Sequence, residues 1–146
     1  MRDSLGGTVS LVIIVVFIVV ALGYMAFNVN YTKAFRMKNK IISTYEDFEG
    51  DCSTQNCRGV IKNYAKTLGY AKSGNFTCPS GYSPVDNLYC VKQVFVEELK
   101  DVVRDRNTRY YYKIITKINV EVPIINNILD LRIFYITGDT KTFTES

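Results

Sequence analysis

The chain has 146 residues, 18 Lys+Arg against 14 Asp+Glu for a net charge of +4, and neither His nor Trp. A surplus of that size is too mild for a nucleic-acid binder. Without His the commonest general base and metal ligand is missing, so most hydrolase and metalloenzyme chemistries lose their usual parts.

Polarity is divided unevenly along the chain, with no charged residue between Asp3 and Lys33. Residues 1–7 read as a short polar leader. Thirteen of the residues from Val9 to Phe27 are Leu, Ile, Val or Phe. About 20 mainly apolar residues cross ~30 Å of hydrocarbon as a helix, so this stretch is long enough. Its β-branched residues favour strand in water, but in lipid only a helix satisfies every backbone group within one span. The alternative is a cleaved secretory signal. Against it, Arg2 and Asp3 cancel, the apolar run exceeds ~15 residues, and no small-x-small site follows. An uncleaved anchor over 9–27 is the reading adopted.

From Val29 onward neither Pro nor Gly occurs until Gly50. Tyr31, Ala34, Phe35, Ile41, Ile42, Tyr45 and Phe48 fall mostly three or four apart, the spacing of an amphipathic helix, with Lys38 interrupting. Gly50 suits the C′ position. One helix over 8–49, ~60 Å long, is therefore expected, half in lipid and half carrying the domain formed by 50–146. Orientation has two opposed indicators. Lys33, Arg36, Lys38 and Lys40 follow the span, which by the positive-inside rule puts the C-terminal part in the cytoplasm. The cysteines argue for the outside.

Cys52, Cys57, Cys78 and Cys90 are the four cysteines, all beyond the apolar segment. An even number clustered in a small domain suggests two disulfides in an oxidising compartment; buried free thiols are the alternative. Zinc would want paired C-x-x-C spacing or His, and no metal site is expected. Three connectivities are possible, of which Cys52–Cys57 with Cys78–Cys90 is favoured. A basic cluster can also sit at a membrane's outer face, so an extracytoplasmic domain on a single-pass anchor is expected.

Gln55 to Leu68 reads as a short helix with Cys57, Ile61, Tyr64 and Leu68 on one face, Thr54 as N-cap and Gly69 as stop. Ser73 to Asn87, with Pro79, Gly81 and Pro84, reads as a loop. Leu88 to Leu99 is β-rich, and the charge-rich 101–107 should turn into the next strand. Arg109 to Val122 alternates: Tyr110, Tyr112, Ile114, Ile118, Val120 and Val122 on one face, Arg109, Lys113, Lys117, Asn119 and Glu121 on the other. That is a half-buried antiparallel strand. Pro123 to Leu129 reads as one helical turn. Its residues Ile124, Ile125, Ile128 and Leu129 either cap the sheet's open end or form a docking knob for a neighbouring subunit. Leu131 to Phe143 returns as a strand, broken near Gly138-Asp139. The expected class is α+β, a long transmembrane helix running into a small domain in which a short helix packs on an antiparallel sheet of about three to four strands, stapled by disulfides.

No catalytic constellation emerges, so neither an enzyme nor a bound cofactor is expected. Glu46, Asp47, Glu49 and Asp51 read as a solvated helix end, and Gly6-Gly7 is no phosphate loop. Tyr110-Tyr111-Tyr112 reads as core and strand surface rather than a stacking platform, and Asn75-Phe76-Thr77 is a sequon. Gly7, Ser10 and Gly23 are small residues along the anchor through which close helix packing in lipid could occur.

A polar leader containing Gly, an N-terminal hydrophobic helix running into the domain and a small disulfide-bearing sheet resemble the type IV pilin and pseudopilin plan. RDSLGGTVSLVIIVVFIVV, followed by NYTKAFRMKNKII, is similar to membrane-anchored proteins of Gram-positive bacteria related to minor pseudopilins of tight-adherence (Tad) pili, the TadE/TadF type. INVEVPIINNILDLRIFYITGDTKTF resembles their closing strand–Pro–short helix–strand unit. The resemblance implies a non-enzymatic component of a pilus or secretion-type apparatus. Its partners would be the lipid bilayer and other pilin-like subunits, with no nucleic acid and no small-molecule substrate. A generic single-pass surface binding module is the alternative. Pilins carry a Glu five residues after the processed Gly; counted from Gly6, that position is Leu11, and the first Glu is Glu46.

Overall fold

The computed structural model describes residues 2–70, 77–96, 109–118 and 134–144. The elements in chain order are α1 (Arg2–Asp47), α2 (Gln55–Leu68), β1 (Ser83–Val85), β2 (Tyr89–Phe95), β3 (Arg109–Ile118), β4 (Phe134–Asp139) and β5 (Phe143–Thr144). The architecture is α+β, as the patterning requires. Helix α1 begins at Arg2 rather than Thr8, so residues 2–7 continue the helix. Its 46 residues make it ~70 Å long at 1.5 Å per residue.

The two halves of α1 live in different surroundings. From Val9 to Met25 the large apolar side chains other than half-exposed Val19 are exposed; Phe17, for example, shows 73% of its surface. Further along, Ala34, Met37, Ile41, Thr44 and Tyr45 form a buried seam at three- and four-residue spacing. The seam differs from the face expected at sequence level. Met37 is in it although Arg36 and Lys38 flank it, whereas Tyr31 and Phe35 stay exposed. Lys38 does not interrupt the seam; it lies beside it, its Nζ 4.5 Å from the Phe35 ring centre.

Both helices end in the same way. At α2, Gly69 is left-handed (φ 62), its N–H donates to the Lys66 carbonyl and that of Tyr70 to the Ala65 carbonyl. This is a Schellman closure. At α1 the corresponding bonds run from Glu49 N–H to the Glu46 carbonyl and from Gly50 N–H to the Tyr45 carbonyl. Glu49, not Gly50, therefore takes the C′ position, at φ 51. Gly50 follows at φ 85, where an added Cβ would lie 3.2 Å from the Tyr112 ring and 3.3 Å from Phe143.

The four-strand path runs β1-β2-β3-β4, every pair antiparallel, and β5 pairs with β3 as well. The loop expected over 73–87 holds a strand, β1, and a hairpin to β2. Its turn is made by Asp86 and Asn87, both at positive φ, and closed by Leu88 N–H on the Val85 carbonyl. Asp and Asn tolerate that conformation best among non-Gly residues. The last strand breaks immediately after Asp139, and Thr140 keeps the ladder by exchanging bonds with Tyr112.

The C-terminal half of α1 and α2 cover one face of the sheet. Met37, Ile41, Tyr45, Cys57, Ile61, Ala65, Leu88, Tyr89 and Ile114 make one core. Ala34 permits the closest contact: Thr116 Oγ1 donates to its carbonyl at 3.1 Å, both residues fully buried. Gly138 permits the next, since a Cβ there would lie 2.8 Å from Ile42 and Lys38 side-chain atoms. The opposite face is not simply solvated as the alternation suggested. Ile115 and its β2 partner Cys90 are buried there beneath Cys78 and Tyr82.

Glu49 holds a left-handed conformation that costs a non-Gly residue ~1 kcal/mol or more. Glu49→Gly should raise stability by about 1 kcal/mol. Thermal melting of the full chain in detergent, followed by tyrosine near-UV dichroism, checks this; an unchanged or lower midpoint contradicts it.

Candidate functional site

The anchor residues singled out for close packing are all on α1. Gly7 and Ser10 are exposed and Gly23 is half-exposed. A Cβ at Gly7 would meet nothing within 4 Å, so the site is open to a partner. At ~100° per residue Gly7 and Ser10 share a side of the helix while Gly23 lies about 160° round from Gly7. One straight partner helix can use the first two, not all three. Among the described residues α1 is the one helix long and apolar enough to cross a membrane.

The cysteines pair as favoured, Cys52–Cys57 with Cα atoms 5.2 Å apart and Cys78–Cys90 at 5.8 Å. The first bridge closes the turn from α1 into α2. Thr54 stands at the N-cap with extended backbone but makes no side-chain cap bond. The helix start is held instead by the Cys57 bridge and by Arg58 Nε, which donates to the Cys52 carbonyl at 3.2 Å. The second bridge pins the segment before β1 over Ile115.

The acidic group at the end of α1 does structural work. A Glu46 carboxylate oxygen accepts the Lys141 N–H at 2.7 Å, tying the β4–β5 connection to the helix end. The Asp51 carboxylate accepts from both the Ser53 hydroxyl and the Ser53 N–H, which hold its pKa below the ordinary value. Among the described residues no three His, Cys, Asp or Glu side chains gather as metal ligands would.

Tyrosine forms the densest polar-aromatic cluster. Tyr45 on α1 packs against Tyr89 and Tyr112, with ring centres 6.3 and 5.1 Å away. The Tyr45 and Tyr89 hydroxyls lie 3.3 Å apart in the core. Burial pushes the pKa of Tyr45, Tyr89 and Tyr112 upward, so these phenols stay protonated and are poor nucleophiles. Tyr112 packs against the core, and Tyr111 is half-exposed with Lys113 Nζ 5.8 Å from its ring centre.

Tyr70 was not singled out by sequence. Its hydroxyl donates to the Lys117 carbonyl and accepts from the Lys117 N–H, each at 2.9 Å. Lys117 lies one residue past Thr116, the last β3 residue with a β2 partner. A side-chain hydroxyl thus stands where a strand would continue, and the closure after α2 delivers it. The contact spans 47 positions, beyond the reach of any local pattern. Ile124, Ile125, Ile128 and Leu129, like Asn75, Val120 and Val122, lie outside the described residues.

No family model, no curated protein and no solved structure matches the chain.

Burial raises the Tyr70 pKa to about 12. A phenol whose folded value exceeds its unfolded value of about 10 contributes stability below that pH and loses it as pH rises toward the folded value. The protein should therefore lose stability between about pH 10 and 12, the other raised tyrosines acting in the same direction. Tyr70→Phe leaves the Lys117 amide and carbonyl unpaired. It should cost about 1–3 kcal/mol near neutrality and flatten the alkaline decline. Melting midpoints at about pH 8 and about pH 11 test both; parallel curves for the two proteins contradict the assignment.

Proposed function

We propose that the protein is a non-enzymatic, single-pass, pilin-like component of the Tad minor-pseudopilin type, with its disulfide-bonded domain outside the membrane. It takes part in a pilus or secretion-type surface apparatus through its anchor helix. The observation that carries this reading is the continuity of α1. One uninterrupted helix offers an exposed apolar half from Val9 to Met25, and its other half is a wall of the domain core. That is the arrangement a pilin uses to bring a membrane subunit into a helical assembly. Gly7 and Ser10 are the close-packing side. Leu11 stands where pilins have Glu, so assembly here relies on packing without that charge. The two disulfides, which use all four cysteines, support an oxidising compartment.

Location is tested on intact cells. Denatured, non-reduced protein should offer no thiol to a maleimide reagent, and external protease should remove the domain. Four reactive thiols together with full protection refute an outside domain. Assembly is tested by photo-crosslinking within the membrane. Gly7→Leu with Ser10→Leu should leave insertion intact and lower the crosslinked yield several-fold. An unchanged yield favours a surface binding module that acts through its domain alone.

A further inference from the structure

Between α1 and the end of α2 lies an open groove of ≈ 440 Å³, lined by Asn28, Val29, Thr32, Lys33, Arg36 and Leu68. We propose that this groove seats the headgroup phosphate of an anionic phospholipid, with Lys33 and Arg36 as its cationic contacts. The inference rests on residues 9–27 spanning a bilayer.

Depth is the first argument. The headgroup layer adds roughly 5–8 Å beyond the hydrocarbon on each side. At ~1.5 Å per residue, Asn28 to Thr32 rise through that layer and Lys33 stands near its outer edge. Arg36 lies about one turn beyond, where helical side chains lean back toward the helix N-terminus and so toward the membrane. An independent marker gives the same level. Phe27, Tyr31 and Phe35 stack along a neighbouring strip of α1 with ring centres 6.3 Å apart, and Tyr31 and Phe35 are exposed. Exposed aromatic rings in that position mark the membrane–water interface.

Charge is the second. Among the described residues neither Lys33 nor Arg36 has a carboxylate partner, although acidic side chains are plentiful at the far end of α1. The end of α2 would ordinarily oppose an anion, since a helix C-terminus is its negative pole. Here that pole is covered: the Ala65 and Lys66 carbonyls are closed by Tyr70 and Gly69 N–H groups, and Lys33 Nζ donates to the Gly69 carbonyl at 3.5 Å. Lys33 keeps two further N–H donors and Arg36 a planar fork suited to phosphate oxygens. The apolar members, Val29 and Leu68, suit the glycerol and first methylenes below the phosphate. Two cations at this level, Lys33 half-buried and Arg36 exposed beside the groove, distinguish a negatively charged headgroup from a zwitterionic one, whose outer ammonium they repel.

The test reconstitutes the full chain in nanodiscs of phosphatidylcholine with a minority of phosphatidylglycerol, and mass spectrometry counts the lipids retained when the disc is exchanged into detergent. Retained lipid should be enriched in phosphatidylglycerol, and Lys33→Gln with Arg36→Gln should reduce the enrichment roughly fivefold or more. A control pair, Lys62→Gln with Lys92→Gln, removes the same charge elsewhere and should leave it unchanged. Excess inorganic phosphate should not displace the lipid. Equal loss in both pairs means diffuse attraction, displacement by phosphate means a free-anion site, and no enrichment in an inserted chain means no site; each overturns the proposal. A chain that fails to insert overturns the anchor, and the lipid site with it.

Discussion

The contact on which the rest of the molecule depends is that of α1 with β3, where Thr116 donates to the Ala34 carbonyl between two residues of zero exposure. A helix carbonyl normally belongs to its own ladder, and a hydroxyl reaching it requires the sheet to lie against the helix backbone. Ala34 has the small side chain that allows this, and Gly138 does the same for β4. The bond is made where water is absent, so losing it would strand a buried hydroxyl. It also fixes the register between the long apolar helix and a sheet formed more than 80 positions later.

Met37, Ile41 and Tyr45 of α1 complete the core of the domain formed by residues 50–146. Removing the helix would expose Ile114, Tyr89 and the covered side of α2 together. A chain of this size buries a modest core, so covalent ties carry weight. The two bridges sit at complementary places. Cys52–Cys57 makes the reversal between the helices tight, and Cys78–Cys90 spreads a cover over the face α1 does not reach. Each replaces an interaction not found among the described residues: a capping side chain at Thr54 in one case, and a second helical layer in the other.

Where period and punctuation agree, the sequence is legible. Gln55–Leu68 is bounded by Thr54 and Gly69 and shows helical spacing, and it forms over those residues. β3 was readable from strict alternation. Misreadings arose where tertiary contact decides. Tyr31 and Phe35 have the hydrophobicity of seam residues, yet the sheet lies over Ala34 and Met37, so the larger rings stay outside. Ile115 belongs to the face that carries Lys113 and Lys117, and only its pairing with a disulfide-bonded Cys90 explains its burial. β1 was hidden in a stretch rich in Gly, Pro and Ser, although Asp86-Asn87 offered a turn of the right kind. Of the candidate site, the cysteine pairing was one of three connectivities, favoured for its two local loops and found in the structure. The groove could not be read, since Leu68 joins Asn28 and Arg36 only once two helices have packed.

The short distance between apolar span and core constrains what the protein can do. From Phe27 to Ala34 is seven residues, which on a continuous helix is ~10 Å. A tethered module that searches for ligands needs a flexible linker, and its reach grows with linker length. Here neither Gly nor Pro occurs between Gly23 and Gly50, and the helix closes its own end against the sheet before the chain is free to turn. With residues 9–27 in a bilayer, as proposed, the domain is held close to the membrane, at an orientation set by the tilt and rotation of α1. Any axial movement or rotation of the helix in lipid moves the sheet by the same amount. Coupling of that kind is what the proposed role asks for, in which a subunit is lifted or packed through its membrane segment.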